Sequence, residues 1–322
     1  MNTFVEITDP VAAALERVID VFDRELASDQ PFVNRLTQRV AHYRGKLLRP
    51  RLLLLAGAAS GGLGSDHIVL AAVVEMVHMA TLVHDDVLDE ADLRRHQPTV
   101  NRLVGNEGAV LLGDYLISHA YHLCSGLDSV DASRRVAAVT NTVCEGELMQ
   151  VENRGNLELT EATYLEIIQR KTAALTGLCC ELGAEAAGAA PAEVERLAAF
   201  GRDLGTAFQI VDDLLDLTAT ARETGKTVGR DADLGKLTLP AIRFLRNADP
   251  DHKARFLSAL SDGRRSRDDV ERILEQAGAI DDAMEVARSH VQTAVGRLST
   301  LPPGEARDAL LAAAEFILRR RQ

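Results

Sequence analysis

Three aspartates, Asp85, Asp86 and Asp89, stand in the stretch "LVHDDVLDEADLRRHQPTVN", directly after the apolar run "IVLAAVVEMVHMATLV". Charges set against an apolar face cost several kcal/mol unless something pairs with them or neutralises them. At 3.6 residues per helical turn, Asp85 and Asp89 lie one above the other on the face that also carries Thr81 and Val77. A second cluster, "FQIVDDLLDL", sets Gln209, Asp212, Asp213 and Asp216 at i, i+3, i+4 and i+7, again one stripe. Stacked carboxylates repel, so two such stripes imply a counter-charge. Hard oxygen donors with no His or Cys at ligand spacing favour Mg²⁺, which keeps waters and is shared with substrate phosphates. One acidic string alone reads as a solvated face; two, both embedded in apolar helices, read as a metal site.

The basic residues fall beside these stripes. Lys46 and Arg49 lie in "GKLLRP", Arg94 and Arg95 in "DLRRH", Lys171 and Thr172 in "RKTAAL", and Lys226 and Lys236 in "GKTVGRDADLGKLTLP". In a chain of net charge −12 they suit ligand phosphates, Arg as a bidentate fork and Lys as a point charge. A P-loop is excluded: "TARETGKT" lacks the first glycine, having Thr220 there, and "VAHYRGKL" lacks both that glycine and the final Ser or Thr.

The elements that must hold these groups are helical. Apolar residues recur at three and four in "VAAALERVIDVFDREL" and "DDAMEVARSHVQTAVGRL", and no sustained strand alternation is present. Breaks fall at Ser60–Asp66, Gln97–Asn101, Gly188–Glu193, Asn247–Asp251 and Thr300–Glu305. None is long enough for an interdomain linker, so residues 1–322 are expected to form one all-α domain of about ten helices. The helix carrying the first motif is expected to start at an N-cap, Ser65 or Asp66, and to run past Asp89.

Composition narrows the function classes. The chain is 46% hydrophobic and 26% charged, as a folded domain requires, and its acidity argues against nucleic acid and anionic membrane surfaces as partners. Cys124, Cys144, Cys179 and Cys180 have no CxxC spacing and read as reduced core residues. The N-terminus lacks a basic segment followed by an apolar one, and no run is read as reaching the roughly 20 apolar residues of a membrane span. A cytoplasmic location is the expectation.

Taken in order, "GKLLRP", "HDDVLDEADLRR.QPT.N", "GE.MQ", "KTA.L", "FQIVDDLLD", "GK.VG.D" and "GKLTLP" resemble the trans-isoprenyl diphosphate synthases over roughly residues 40–245. The paired aspartate-rich motifs are the most specific part; the last third adds only helical texture. The resemblance implies the all-α isoprenoid synthase fold, helices around a central cavity, in a homodimer. It implies that Asp85, Asp89 and Asp212, with Asp216, hold Mg²⁺ on an allylic diphosphate. On the family pattern Arg94, Lys171, Thr172, Gln209, Lys226 and Lys236 line the allylic site, and Lys46, Arg49, His78 and Arg95 the site for isopentenyl diphosphate. Breaking the allylic C–O bond leaves a diphosphate anion and a carbocation, which explains metal ions and fixed cations without a protein nucleophile. His84 reads equally as a packed or supporting histidine.

The face below the aspartates carries the chain-length expectation. In this family a bulky aromatic four or five residues before the first aspartate stops growth early. Here Ala80 and Thr81 stand there, with Val77 below, and a helical turn of about 5.4 Å approximates one isoprene unit, so a long product of octaprenyl type is implied. Tyr115 or Met149 could instead set the floor, and a geranylgeranyl diphosphate synthase is the alternative. Two departures stand out: His96 replaces a common Gly after the paired arginines, and "RDADLG" replaces the usual string before "GKLTLP". The tail "FILRRRQ" is read as satisfying a helix C-terminus rather than approaching the diphosphates. A terpene cyclase is disfavoured by "DDLLD" and few aromatics, an HD-type phosphohydrolase by the lack of suitable His ligands, and a noncatalytic partner subunit by the intact charged residues.

Overall fold

The computed structural model describes residues 9–218, 231, 234–261 and 267–320 of the chain, and the regular structure in them is helical apart from one two-residue-per-strand hairpin. Helices α1 (Ala12–Glu25), α2 (Pro31–Val40), α3 (Leu48–Ser60) and α4 (Ser65–Leu88) lead into strands β1 (Leu93–Arg94) and β2 (Gln97–Pro98). Then come α5 (Val100–Ser125), α6 (Val130–Glu152), α7 (Glu161–Ile168) and α8 (Ala174–Ala186), with a π-helical turn, Gln169–Ala173, between α7 and α8. The second acidic motif ends α9 (Pro191–Thr218). Beyond it are α10 (Leu239–Asn247), α11 (Pro250–Ser261), α12 (Arg267–Gln276), α13 (Ala279–Arg297) and α14 (Glu305–Arg319).

Helix α4 is apolar all round and is therefore central: α1, α3, α5 and α8 pack against it. By length and hydropathy it could cross a membrane, contrary to the reading that no run comes close, but 72% of its apolar window is buried inside the protein. It opens at Ser65 with Gly64 as N-cap, one residue before the predicted cap, and ends at Leu88. Asp89 is the C-cap, its N–H still bonded to the Asp85 carbonyl at 2.8 Å. Helix α9 buries Leu197, Phe200, Leu204, Val211 and Leu214 against α8, α13 and the π turn. Local signals place other ends. Ser129 Oγ accepts the Ala132 N–H at the start of α6, Thr160 Oγ1 accepts that of Thr163 at the start of α7, and prolines stand in the first turns of α2 and α10.

All five predicted breaks separate elements in the structure. The connections around Leu26–Gln30, Gly126–Ser129 and Asn153–Thr160 were not singled out in the sequence. Cys124, Cys179 and Cys180 are buried as expected, whereas Cys144 is exposed on α6, which corrects its reading as a core residue.

Candidate active site

The end of α4 presents Asp85 and Asp89 to a wall of cations. Lys171 Nζ lies 3.9 Å from Asp85 Oδ1, is ion-paired with Glu147 and donates to Gln150 Oε1 at 2.8 Å. Burial opposes the charge on Lys171, but Asp85, Glu147 and then Asp89 outweigh it and hold the ammonium's pKa above the ordinary lysine value. Lys236 Nζ donates to Asp89 Oδ1 at 2.8 Å, and Arg154 Nη2 stands 3.6 Å from the same oxygen. The π turn aims Lys171 and Thr172 from adjacent positions, and close approach of two helices holds it. A Cβ on Gly146 of α6 would come 2.6 Å from Lys171 N, and one on Gly205 of α9 would come 2.7 Å from Ala173 Cα. Single π turns recur at functional sites because they re-aim side chains within a helix.

On α9 the predicted stripe divides. Thr172 Oγ1 donates to Gln209 Oε1 at 2.8 Å, Gln209 Nε2 donates to Asp213 Oδ1 at 2.7 Å, and the Tyr164 hydroxyl donates to Asp213 Oδ2 at 2.6 Å. Burial pushes the Asp213 carboxyl up to about 7; the hydrogen bonds from Tyr164 and Gln209 pull against it and the charges of Asp212 and Asp216 add to it. Asp216 accepts the Asp231 N–H at 3.3 Å. Burial, then Asp216 and Asp213, raise the Asp231 carboxyl well above the usual range, and it also feels Lys236 and Asp89. Asp213 of the second motif and Lys236, the partner of Asp89, border one cleft, whose lining also includes Gln150, Tyr164 and Asp231.

The donor set fits Mg²⁺. Asp85 and Asp89 on one side and Asp212 and Asp216 on the other offer carboxylate oxygen, while among the described residues no three His, Cys, Asp or Glu side chains gather closely enough to hold a metal ion by themselves. Mg²⁺ typically takes one or two protein carboxylates and completes its shell with water and substrate phosphates, so an open arrangement suits it.

The basic pole is built by α3, α4 and the hairpin. Arg49 Nη1 lies 3.0 Å from His78 Nε2, and the Arg95 guanidinium lies over Gly45, where a Cβ would meet its Nη2 at 2.1 Å. Burial, then the charges of Arg320 and Arg95, lower the Lys46 pKa, which places all three cations together. Beneath His78, Glu75 is fully buried and its Oε2 has no hydrogen-bond partner. Burial pushes its carboxyl up to about 7 against the pull of Arg49, Arg44 and Arg95.

Several residues stand differently from the sequence reading. Asp86 turns away from Asp85 into the interior, where Arg94 grips it with Nε at 3.0 Å and Nη2 at 2.8 Å from Oδ1. Arg94 is therefore a partner of Asp86 as well as a candidate diphosphate ligand. The tail reading is overturned: Arg320 Nη2 donates to Asp212 Oδ1 at 3.1 Å, because α14 packs on α3 and α9 and delivers its end to the second motif. Val77 and Ala80 are sealed in the core, and only Thr81 of the chain-length trio is half-buried, its hydroxyl donating to the His78 carbonyl at 2.8 Å. Lys226 lies outside the described residues. Glu147 and Gln150 were quoted within a motif without a role; Tyr43, Tyr164, Arg154 and Asp231 were missed.

Residues 30–277 match the polyprenyl synthetase family. The octaprenyl diphosphate synthase of Haemophilus influenzae is 37% identical over 292 residues, covering 90% of this chain and 89% of that protein. The chain belongs to the polyprenyl synthetase family. It is a prenyltransferase, and two solved structures show how closely the family's fold is kept. A polyprenyl synthase from Caulobacter crescentus, complexed with calcium and isoprenyl diphosphate, superposes with TM-score 0.93 at 32% identity, covering 97% of this chain and 96% of that one. Geranylgeranyl pyrophosphate synthetase from Pyrococcus horikoshii superposes with TM-score 0.89 at 31% identity, covering 99% and 100%. The expected all-α isoprenoid synthase fold is thereby established.

Proposed function

We propose that this polyprenyl synthetase is a single-domain, Mg²⁺-dependent enzyme. It condenses isopentenyl diphosphate with an allylic diphosphate, farnesyl or geranylgeranyl diphosphate, and repeats the addition to a long all-trans product of about six to ten isoprene units. The observation that carries this reading is that the acids of both motifs each hold a basic partner: Asp85 with Lys171, Asp89 with Lys236, Asp212 with Arg320. Such a site is electrically matched to a diphosphate arriving with divalent cations, which exchanges internal ion pairs for external ones.

Lys171, Lys236 and the Thr172–Gln209 pair hold the allylic diphosphate and meet the charge that develops as its C–O bond breaks. Bound Mg²⁺ supplies Lewis acidity toward the departing diphosphate oxygens. Lys46, Arg49, His78 and Arg95 orient isopentenyl diphosphate so that its π bond reaches the allylic carbon. The released diphosphate takes the proton that leaves, and no side chain need act as nucleophile.

The long product is supported by small residues at 80 and 81 and by the octaprenyl relative. A geranylgeranyl product is the second reading, favoured by the sealing of Val77 and Ala80 in the core. Leu103, Val110 and Leu111 on α5, and Leu148 and Val151 on α6, are exposed large hydrophobics, which support a homodimer through these helices. A cytoplasmic enzyme completes the reading.

The test is to incubate the purified chain with Mg²⁺, labelled isopentenyl diphosphate and farnesyl diphosphate, and to resolve the dephosphorylated products by length. Products of six or more units, lost on Asp85→Ala and on Asp212→Ala, are expected. A ladder stopping at geranylgeranyl selects the second reading; no condensation overturns both in favour of a partner subunit.

A further inference from the structure

The arginines after the first acidic motif ride on a two-residue turn. Arg94 pairs with Gln97, and between them Arg95 (φ 52°) and His96 (φ 62°) both adopt left-handed backbone. That is the form of a type I′ hairpin turn, which asparagine and glycine favour and which arginine and histidine adopt at a cost. A turn of this kind persists only where its surroundings hold it.

Asp86 does the holding. Its carboxylate, in a residue 1% exposed, accepts three hydrogen bonds from the Arg94 guanidinium at 2.8, 3.0 and 3.1 Å. Oδ2 also accepts the Tyr43 hydroxyl at 2.7 Å, and the Tyr43 oxygen accepts the Val100 N–H at 3.0 Å. One carboxylate thus fastens four pieces of chain: the end of α4, the hairpin, the start of α5, and the turn that leads through Gly45 to Lys46. Asn101 Nδ2 adds bonds to the carbonyls of Asp86 and Ala91 at 3.3 and 3.2 Å. With Arg94 fixed, the next residue, Arg95, is laid on Gly45 beside Lys46.

We propose that Tyr43 and Asp86 are positioning residues that set the spacing between the two diphosphate sites, acting through Arg94 and Arg95 without touching either substrate. The inference rests on the function proposed above, in which Arg95 serves isopentenyl diphosphate, together with the family pattern that gives Arg94 to the allylic diphosphate. Asp86 is rigid because it is buried and saturated with donors, and Tyr43 is the donor that joins it to the segment carrying Lys46 and Arg49. Loss of that link lets the hairpin and the Lys46 segment move independently, so both diphosphates lose affinity while the chemistry of a correctly bound pair is little altered.

Tyr43→Phe removes one oxygen and keeps the ring. Its KM for isopentenyl and for farnesyl diphosphate should each rise about five- to tenfold, with kcat within about threefold of the parent, the scale of one ordinary hydrogen bond. Binding of inorganic pyrophosphate with Mg²⁺, measured calorimetrically, should weaken by a similar factor. A lowered melting temperature with both KM values and pyrophosphate affinity unchanged would mean a purely structural role and overturns the proposal. Asp86→Asn, which keeps an acceptor for Tyr43 but discharges the pair with Arg94, should show the larger effect; if it does not fold, Tyr43→Phe decides alone. A parent enzyme that fails to condense overturns the function, and the pyrophosphate comparison then still judges the clamp.

Discussion

Arg320 and Asp212 are 108 residues apart in sequence, and Nη2 of the first donates to Oδ1 of the second at 3.1 Å. The same guanidinium lies 4.1 Å from the centroid of the Phe208 ring, one helical turn before Asp212. The last helix therefore delivers an internal counter-ion to a carboxylate that the proposed mechanism gives to Mg²⁺. A monovalent cation and a metal ion compete for such an oxygen. Arg320→Ala should lose about 1 kcal/mol of stability in chelator, typical of a partly exposed pair, and should need roughly fivefold less Mg²⁺ for half-maximal thermal stabilisation in the presence of pyrophosphate. An unaltered Mg²⁺ titration would show that the pair does not compete with the metal.

Thr81 and Ala80 are neighbours with different surroundings, and substitution separates them. Ala80 is fully enclosed, whereas Thr81 is half-buried beneath the acidic end of α4. A phenyl ring at position 81 enters the space available to a growing chain, so Thr81→Phe should shorten the product by one or more isoprene units with the protein still folded. Ala80→Phe overpacks the core and should cost about 1–3 kcal/mol, seen as a lowered denaturant midpoint. Identical product ladders from Thr81→Phe and the parent would remove Thr81 from the growth path.

His96 occupies a left-handed conformation with φ 62°. The histidine in place of a common glycine does not abolish the turn; it is held there under strain. An L-residue in this region costs about 1–2 kcal/mol, and glycine's greater unfolded-state freedom returns about 0.5–1 kcal/mol of that advantage. His96→Gly should therefore stabilise the protein by about 0.5–1 kcal/mol in urea unfolding. A neutral or destabilising result would mean that the histidine side chain contributes contacts worth as much as the strain.

Both acidic motifs were legible in the sequence because helical periodicity alone stacks Asp85 on Asp89 and Asp212 on Asp216. What receives the other aspartate of each adjacent pair was not. Asp86 turns inward because Tyr43, 43 residues away, and Arg94 receive it there, and Asp213 is held by Tyr164, which meets it from α7. The π turn was equally hidden, since "QRKTA" reads as ordinary helix and only the close approach of Gly146 and Gly205 from two other helices reveals why it is held. A basic C-terminus is the usual complement of a helix dipole, so the role of Arg320 depended on where α14 packs, which no local pattern encodes.

Glu75 gives the pH prediction. Its carboxyl is raised from 4.5 to about 7, chiefly by burial, while Arg49, Arg44 and Arg95 oppose the rise. A carboxyl whose folded pKa exceeds its unfolded value binds more protons when folded, so its favourable contribution is complete below the unfolded value and is lost as pH rises through about 7. The loss amounts to at most about 3–4 kcal/mol, at roughly 1.4 kcal/mol for each tenfold difference in proton affinity between the folded and unfolded chain. Glu75→Gln keeps the shape and stays neutral. Compared with the parent in urea unfolding from pH 5 to pH 8, the variant should lack this component of the pH slope and should be the more stable protein at pH 8. The arginines could instead bind the ionised carboxylate strongly enough to make it an asset in the folded state. The variant would then be less stable than the parent at pH 8, and the assignment of a destabilising buried charge to Glu75 would be wrong.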